Sequence, residues 1–327
     1  MTTKITMLGG GVGCSRVAVP LARALQPGEL TLVVNTADDL WRYGLRICPD
    51  LDTNLYALSG RRDEERGWGL TGDTFVAMEQ LRALGHDAWF NLGDHDLATH
   101  LLRTSLLRSG LPLSTVTSEL VERTGIQTRL LPMTDSEVGS RIVMADGTHE
   151  FQEWFVRRGA AGPVTEVEYG GIESAVPSPG VLDAIANADL VVIGPSNPVS
   201  SIEPILALPG IREQLAARRA SVMAVTPVVT AIPVDTAGDD HRTRAARALM
   251  DSRGLPHTAT AVAGLYRDLA SSFILDSADA AEAAAIEDLG LEVIVANTLI
   301  TDPPRGDRLA EALVRRASGQ IGDERPE

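Results

Sequence analysis

Four aspartates, Asp38, Asp39, Asp50 and Asp52, gather in the stretch 38–52. Like charges this close either splay into water or are held by something cationic. Carboxylates are hard oxygen donors suited to Mg²⁺, which takes one or two of them together with substrate phosphate oxygens. Upstream, Gly9-Gly10-Gly11-Val12-Gly13 follows an apolar strand and opens an amphipathic run. Glycines there let backbone N–H groups approach an anion, and a helix N-terminus adds positive potential. Gly10, Gly11, Val12 and Gly13 are therefore a candidate phosphate cradle; the bland alternative for the turn alone is a tight βα connection. With the acidic stretch beside it, Asp50 and Asp52 read as ligands of metal or substrate, and Asp39 as a further catalytic carboxylate. Arg16, one turn into the helix, is placed to reach a phosphate, and the same spacing also suits a solvated arginine.

Two familiar phosphate sites do not fit. A dinucleotide fingerprint needs its third glycine and an acid at the end of the second strand. Here the third position falls on Cys14 or Arg16, and the second strand ends in Asn35. A Walker A loop needs Gly-Lys-Ser/Thr, and the only lysine is Lys4. Further along, Gly194-Pro195-Ser196-Asn197-Pro198 closes another apolar strand. Ser196 and Asn197 offer polar groups at a strand end, where ligands bind in open α/β sheets. Trp41 and Tyr43 can stack on a flat heterocycle or simply pack. His95 and His100 stand at i and i+5, whereas a zinc pair on one helical face needs i and i+4.

The elements that position these residues alternate between strand and helix. Apolar runs at 5–8, 30–34, 190–193, 222–225, 272–275 and 291–295 read as buried strands. Amphipathic helices are expected over 14–26 (interrupted by Pro20), 73–84, 96–109, 241–251 and 308–317, and the stretch 36–51 as loop. Between 125 and 175 the pattern changes to short strands at 128–131, 140–144, 150–156 and 164–169, with Asp146-Gly147 as a hairpin signal. The expected architecture is one α/β, three-layer, Rossmann-like domain over 1–327 with a mostly parallel sheet. A small antiparallel insert spans about 125–175, either a lid or a structural element, and the tail 318–327 is frayed.

The chain has 327 residues, 44% of them hydrophobic, enough for a large core. Its net charge of −15 argues against a nucleic-acid partner, which needs a basic surface. No apolar run approaches the roughly eighteen residues of a membrane span, so no membrane partner is expected. Two cysteines, Cys14 and Cys48, make no disulfide framework and point to the cytoplasm.

Gly10-Gly11-Val12-Gly13, Asn35-Thr36-Ala37-Asp38-Asp39-Leu40-Trp41 and Pro49-Asp50-Leu51-Asp52-Thr53 resemble blocks of the 2-phospho-L-lactate transferase family. So do Leu92-Gly93-Asp94-His95-Asp96-Leu97-Ala98-Thr99-His100 and the 194–198 pentapeptide. The blocks run in the family's order over roughly residues 4–300, and members of the family build the deazaflavin coenzyme F-420. The resemblance implies a guanylylated three-carbon phospho-acid as donor, the deazaflavin Fo as acceptor, GMP as leaving group, Mg²⁺ as cofactor and a homodimer. Carried over residue by residue, it implies nucleotide contacts from Gly10, Gly11, Val12, Gly13, Arg16, Asn35, Ser196 and Asn197. Asp50 and Asp52 would hold the metal, and Asp52, Asn91 and Trp41 would meet the acceptor. At Asn91 the family often carries a basic residue, so a charge contribution is missing here. The arginine-rich, lysine-poor composition leans toward a phosphoenolpyruvyl over a 2-phospho-L-lactyl donor. The rival function is that of a related group of nucleotide-sugar-binding regulators of carbon metabolism. That group shares the Gly-Gly and Asn-Thr-Ala-Asp-Asp blocks but not Leu40-Trp41 or the Pro-Asp-Leu-Asp-Thr block.

Overall fold

The computed structural model describes residues 2–227, 241–300 and 303–319. Strands form in the order β1 (Ile5–Gly9), β2 (Leu30–Val34), β3 (Leu40–Arg42), β4 (Leu45–Ile47), β5 (Arg129–Pro132) and β6 (Gly139–Met144). They continue with β7 (Gly147–Glu150), β8 (Glu166–Gly170), β9 (Leu190–Ile193), β10 (Val222–Val225), β11 (Ser272–Asp276) and β12 (Glu292–Ala296). Seven of them make one parallel sheet in the order β12-β11-β10-β9-β1-β2-β5. Its strands are apolar on both faces, as a sheet covered on both sides requires. Leu8, Val33, Val191, Ile193 and Leu275 enter one core, and Ile5, Met7, Leu32, Val34 and Val192 enter the other. The result is the expected three-layer α/β fold.

Helices α1 (Gly11–Ala24), α2 (Pro49–Leu58), α3 (Val76–Ala83), α4 (Asp96–Arg108) and α5 (Leu113–Thr124) follow the first strands. Helix α1 begins directly at the glycine turn and runs through Pro20, which is buried. The stretch expected to be loop holds two elements. Strands β3 and β4 pair as a hairpin, Leu40 opposite Ile47, turning through Tyr43 (φ 54°) and Gly44 (φ 74°). Two left-handed residues in a row give the turn that matches strand twist. Helix α2 then starts with Pro49 in its first turn, followed by Asp50 and Asp52. Proline at the first helical position and acids beside the positive helix end are favourable placements.

The segment 128–131 forms β5, but it pairs in parallel with β2 as the edge of the main sheet. The antiparallel sheet, β7-β6-β8, is therefore confined to 139–170. The strand expected at 150–156 ends at Glu150, and the chain coils into a helical turn, Glu153–Arg157. Phe151, Trp154 and Phe155 recur at helical spacing, and the turn buries Trp154 completely. Helix α3 begins later than its periodicity suggests. Its start is fixed at a distance: Val76 N–H and Ala77 N–H both donate to Asp94. Ser318 and Gly319 form a turn after the last helix, while 320–327 of the expected frayed tail lie outside the described residues. Among the described residues no helix is long and apolar enough to cross a membrane.

Candidate active site

The chain leaves β1 toward β2 on one side of the sheet, whereas β9 leads to β10 on the other. Between β1 and β9 the connections diverge, and such a switch point opens a crevice at the strands' C-terminal ends. Both glycine-containing turns lie there. Gly10 N–H donates to Ser196 Oγ at 3.0 Å, and the Ser196 hydroxyl donates back to the Gly10 carbonyl at 2.8 Å. A Cβ on Gly13 would stand 2.1 Å from the Pro195 carbonyl oxygen, and one on Gly10 would stand 2.0 Å from Asp50 Oδ2. Gly11 adopts φ 62°, which favours glycine. Glycine is thus demanded by the protein's own neighbours. Gly13→Ala is expected to force the two turns apart and cost about 1–3 kcal/mol, the usual range for overpacking. Chemical denaturation measures this, and an unchanged midpoint would show that the turns separate freely.

Asp50 lies against the glycine turn. Its Oδ2 accepts from Asn35 Nδ2 at 3.0 Å, and Gly11 N–H donates to the same carboxylate. Burial pushes Asp50 up to about 7; those two hydrogen bonds oppose the rise, and the Asp39 charge adds to it. Asp38 is pushed well above the ordinary carboxylate range, first by burial and then by the Asp50 charge. Asp38 is buried, borders the cavity and has no hydrogen-bond partner for Oδ1. Two carboxylates that burial and mutual repulsion both discourage from ionising, one with an orphaned oxygen, fit a divalent cation. Among the described residues, no three His, Cys, Asp or Glu side chains form a cage. Mg²⁺ needs none, since it keeps waters and substrate phosphate oxygens as its other ligands.

Asp52 also borders the cavity, but Arg103 of α4 engages both its oxygens, Nη1 reaching Oδ2 at 3.0 Å. The guanidinium is buried, and Nη1 stands 3.2 Å from His100 Nδ1. An arginine can only donate, so Nδ1 accepts, and Nε2 on the far side of the ring faces Asp96 Oδ1 at 3.0 Å. Tyr56 donates to that same Asp96 oxygen. Burial raises Asp96, but the hydrogen bonds from His100 and Tyr56 and the Arg103 charge outweigh it and hold the group below the usual range. A buried polar chain therefore joins α2 to α4 along the cavity wall.

The cavity measures about 1050 Å³. Gly10, Gly11, Val12, Gly13, Asp50, Asp52, Asn91, Ser196 and Asn197 line it, as the sequence suggested. Asn197 Oδ1 also accepts from Val199 N–H and Ser200 N–H, both at 2.9 Å, and Asn91 Oδ1 accepts from Arg82. Four candidates stand elsewhere. Asn35 is completely buried behind Asp50 and acts through it. Asp39 turns away to Arg46, 3.3 Å distant, and burial against that pairing leaves it at about 6. Trp41 is 46% exposed and donates from Nε1 to Glu137. Arg16 is exposed on α1 outside the wall.

The aromatic surface comes from Trp68, Trp89, Phe90, Phe151 and Phe155, which the sequence reading did not single out. Trp68 sits between Gly67 (φ 72°) and Gly69 (φ 70°), its ring packed by the Arg66 guanidinium 5.5 Å from its centre. The Gly93-Asp94-His95 turn is architectural. Asp73 Oδ1 accepts His95 N–H at 2.6 Å, and a Cβ on Gly93 would stand 1.9 Å from the Asp73 carboxylate. The i, i+4 pairs Asp52–Tyr56 and Asp96–His100 were the readable signal for the buried chain.

A family model described as 2-phospho-L-lactate transferase CofD matches residues 5–298. A phosphoenolpyruvate transferase of Thermobifida fusca is 41% identical over 325 residues, covering 95% of this chain and 97% of that protein. One from Mycolicibacterium smegmatis is 40% identical over 316 residues, covering 92% and 94%. A 2-phospho-L-lactate transferase of Methanosarcina barkeri is 38% identical over 308 residues, covering 94% and 96%. Among solved structures, a Bacillus halodurans protein superposes with a TM-score of 0.61 at 19% identity, covering 96% of this chain and 100% of that one, a likeness of fold.

Proposed function

Since the chain belongs to the 2-phospho-L-lactate transferase CofD family, we propose that it is a transferase of coenzyme F-420 biosynthesis acting on the deazaflavin Fo. The donor is the guanosine diphosphate ester of phosphoenolpyruvate, phosphoenolpyruvate being the group in the names of the Thermobifida fusca and Mycolicibacterium smegmatis relatives. The observation that carries the reading is the unpartnered Asp38 oxygen beside Asp50, at the mouth of a phosphate-type turn in a cavity walled by aromatic rings. A diphosphate needs charge neutralisation next to it, and flat heterocycles need stacking surface.

The terminal ribityl hydroxyl of Fo attacks the phosphorus that bears the three-carbon acid. A new O–P bond forms, the bond to the GMP oxygen breaks, and the hydroxyl proton leaves to a carboxylate or to water. Val12 and Gly13 N–H groups, at the start of α1, face the phosphates; those of Gly10 and Gly11 are already engaged by Ser196 and Asp50. Asp50 and Asp38 are the residues that would hold Mg²⁺, which would supply positive charge against the diphosphate. Asp52, charge-balanced by Arg103, is the carboxylate that orients the attacking hydroxyl. Positioning and electrostatics of this kind are the main levers of phosphoryl transfer. The protein works in the cytoplasm, consistent with two free, buried thiols, Cys14 and Cys48, and as a homodimer, as its resemblance implies.

Incubation with Fo and each of the two guanylylated acids, followed by mass spectrometry, tests the reading. The phosphoenolpyruvyl donor is expected to give dehydro-F-420-0, two hydrogens lighter than the lactyl product. Binding of a nucleotide sugar with no Fo binding would instead support the regulator class.

A further inference from the structure

The antiparallel insert grips both sides of the crevice. On the β2 side, the buried Gln152 donates from Nε2 to the Asp38 carbonyl at 3.1 Å, and Ser140 N–H donates to the Ala37 carbonyl at 2.6 Å. On the β9 side, the Tyr169 hydroxyl of β8 donates to the Val199 carbonyl at 2.6 Å. Val199 in turn is tied through its N–H to Asn197 Oδ1. Ile142, Phe151, Trp154 and Val167 of the insert share one core with Val199, Ala245 and Leu249. A swinging lid would meet its base through a thin, wettable contact. This insert is fused to it.

We propose that the insert is a fixed brace, with Gln152 a positioning residue that aims Asp38 into the cavity and Tyr169 one that holds the Asn197 turn. The inference rests on the transferase reading above. Asp38 Oδ1 is left without a hydrogen bond, so its direction depends on the backbone that carries it and on the Ser140 and Asn35 side chains beside the carboxylate. That backbone has left β2 and enters no other element before Leu40. Its carbonyl is held by Gln152. A buried carbonyl that loses its donor moves to find another, and the side chain on the same residue moves with it.

Gln152→Met keeps the volume and removes the donor. It is expected to lower kcat about three- to tenfold, one lost hydrogen bond expressed in the barrier, with KM for both substrates within about twofold. Tyr169→Phe is expected to weaken GDP binding by about the same factor in calorimetry. Ile142→Val, which loosens the insert's core without touching either turn, should keep kcat and lower the melting temperature. Wild-type kcat in Gln152→Met, or an equal loss in Ile142→Val, overturns the brace. If Gln152→Met does not fold, unaltered GDP affinity in Tyr169→Phe overturns it instead. Wild-type protein that forms no product would refute the transferase reading, whereas active wild type with undisturbed variants refutes the brace alone.

Discussion

Asp50→Asn is expected to cut turnover roughly a hundred- to a thousandfold, the scale of losing one preorganised electrostatic contact at a reacting centre. The amide keeps an oxygen for Asn35 and Gly11, so the turn and the fold should survive, with GDP binding close to wild type. What disappears is the negative charge. Because burial holds the Asp50 carboxyl at about 7 in the folded protein, against 3.8 for the free group, its anion is scarce below neutrality. Wild-type activity at limiting Mg²⁺ should therefore rise with pH through about 7. Stability has the opposite sign. Between 3.8 and about 7 the folded state binds the Asp50 proton more tightly than the unfolded state does. This group's contribution to stability is present at low pH and is lost as pH rises through that window. The melting temperature of wild type relative to Asp50→Asn should accordingly fall from pH 4 to 7. Full activity in the variant at unchanged Mg²⁺ dependence would remove Asp50 from the site.

Arg103→Met is expected to destabilise the fold by about 3–5 kcal/mol, because it leaves the Asp52 charge buried without its partner. The doubly changed Asp52→Asn, Arg103→Met protein should recover most of that loss, since neither charge then needs solvating. Urea denaturation of the wild type, both single variants and the double closes the cycle. The double should nevertheless be a poor enzyme if Asp52 orients the attacking hydroxyl. A loss below about 1 kcal/mol in Arg103→Met would mean that water reaches the pair and that the cavity wall is not dry.

The parallel sheet was legible because its strands are uninterrupted apolar runs closed by glycine or proline turns, a signal contained in a few consecutive residues. The glycine turn and the Ser196 pentapeptide were legible for the same reason, and their meeting follows from where β1 and β9 end. The hairpin at Leu40–Ile47 was not. Its turn uses Tyr43 in a left-handed conformation, where Asn or Asp is the usual mark. Helix α2 could have been found from Pro49 and the acids behind it, but those acids invited a reading as a loop of ligands. Trp41 illustrates a different limit. An aromatic next to an aspartate pair says nothing about which side of a strand it occupies, and here it faces Glu137. For the buried chain Asp52–Arg103–His100–Asp96, the i, i+4 pairs mark one polar face on each helix, but nothing in the sequence says that the two faces meet.

Gly10 and Ser196, which hold the two turns together, are separated by 186 positions. A ribosome making this chain completes β1, the glycine turn and the aspartate-bearing helix long before β9 exists. Until β9 docks beside β1, the edge of that early sheet is unpaired and the crevice has only one side. Contacts between distant parts of a chain are slow to form and leave such edges exposed to other chains in the meantime. The crevice is thus a late product of folding, and any ligand that binds only the joined turns would pull the equilibrium toward the finished molecule by mass action.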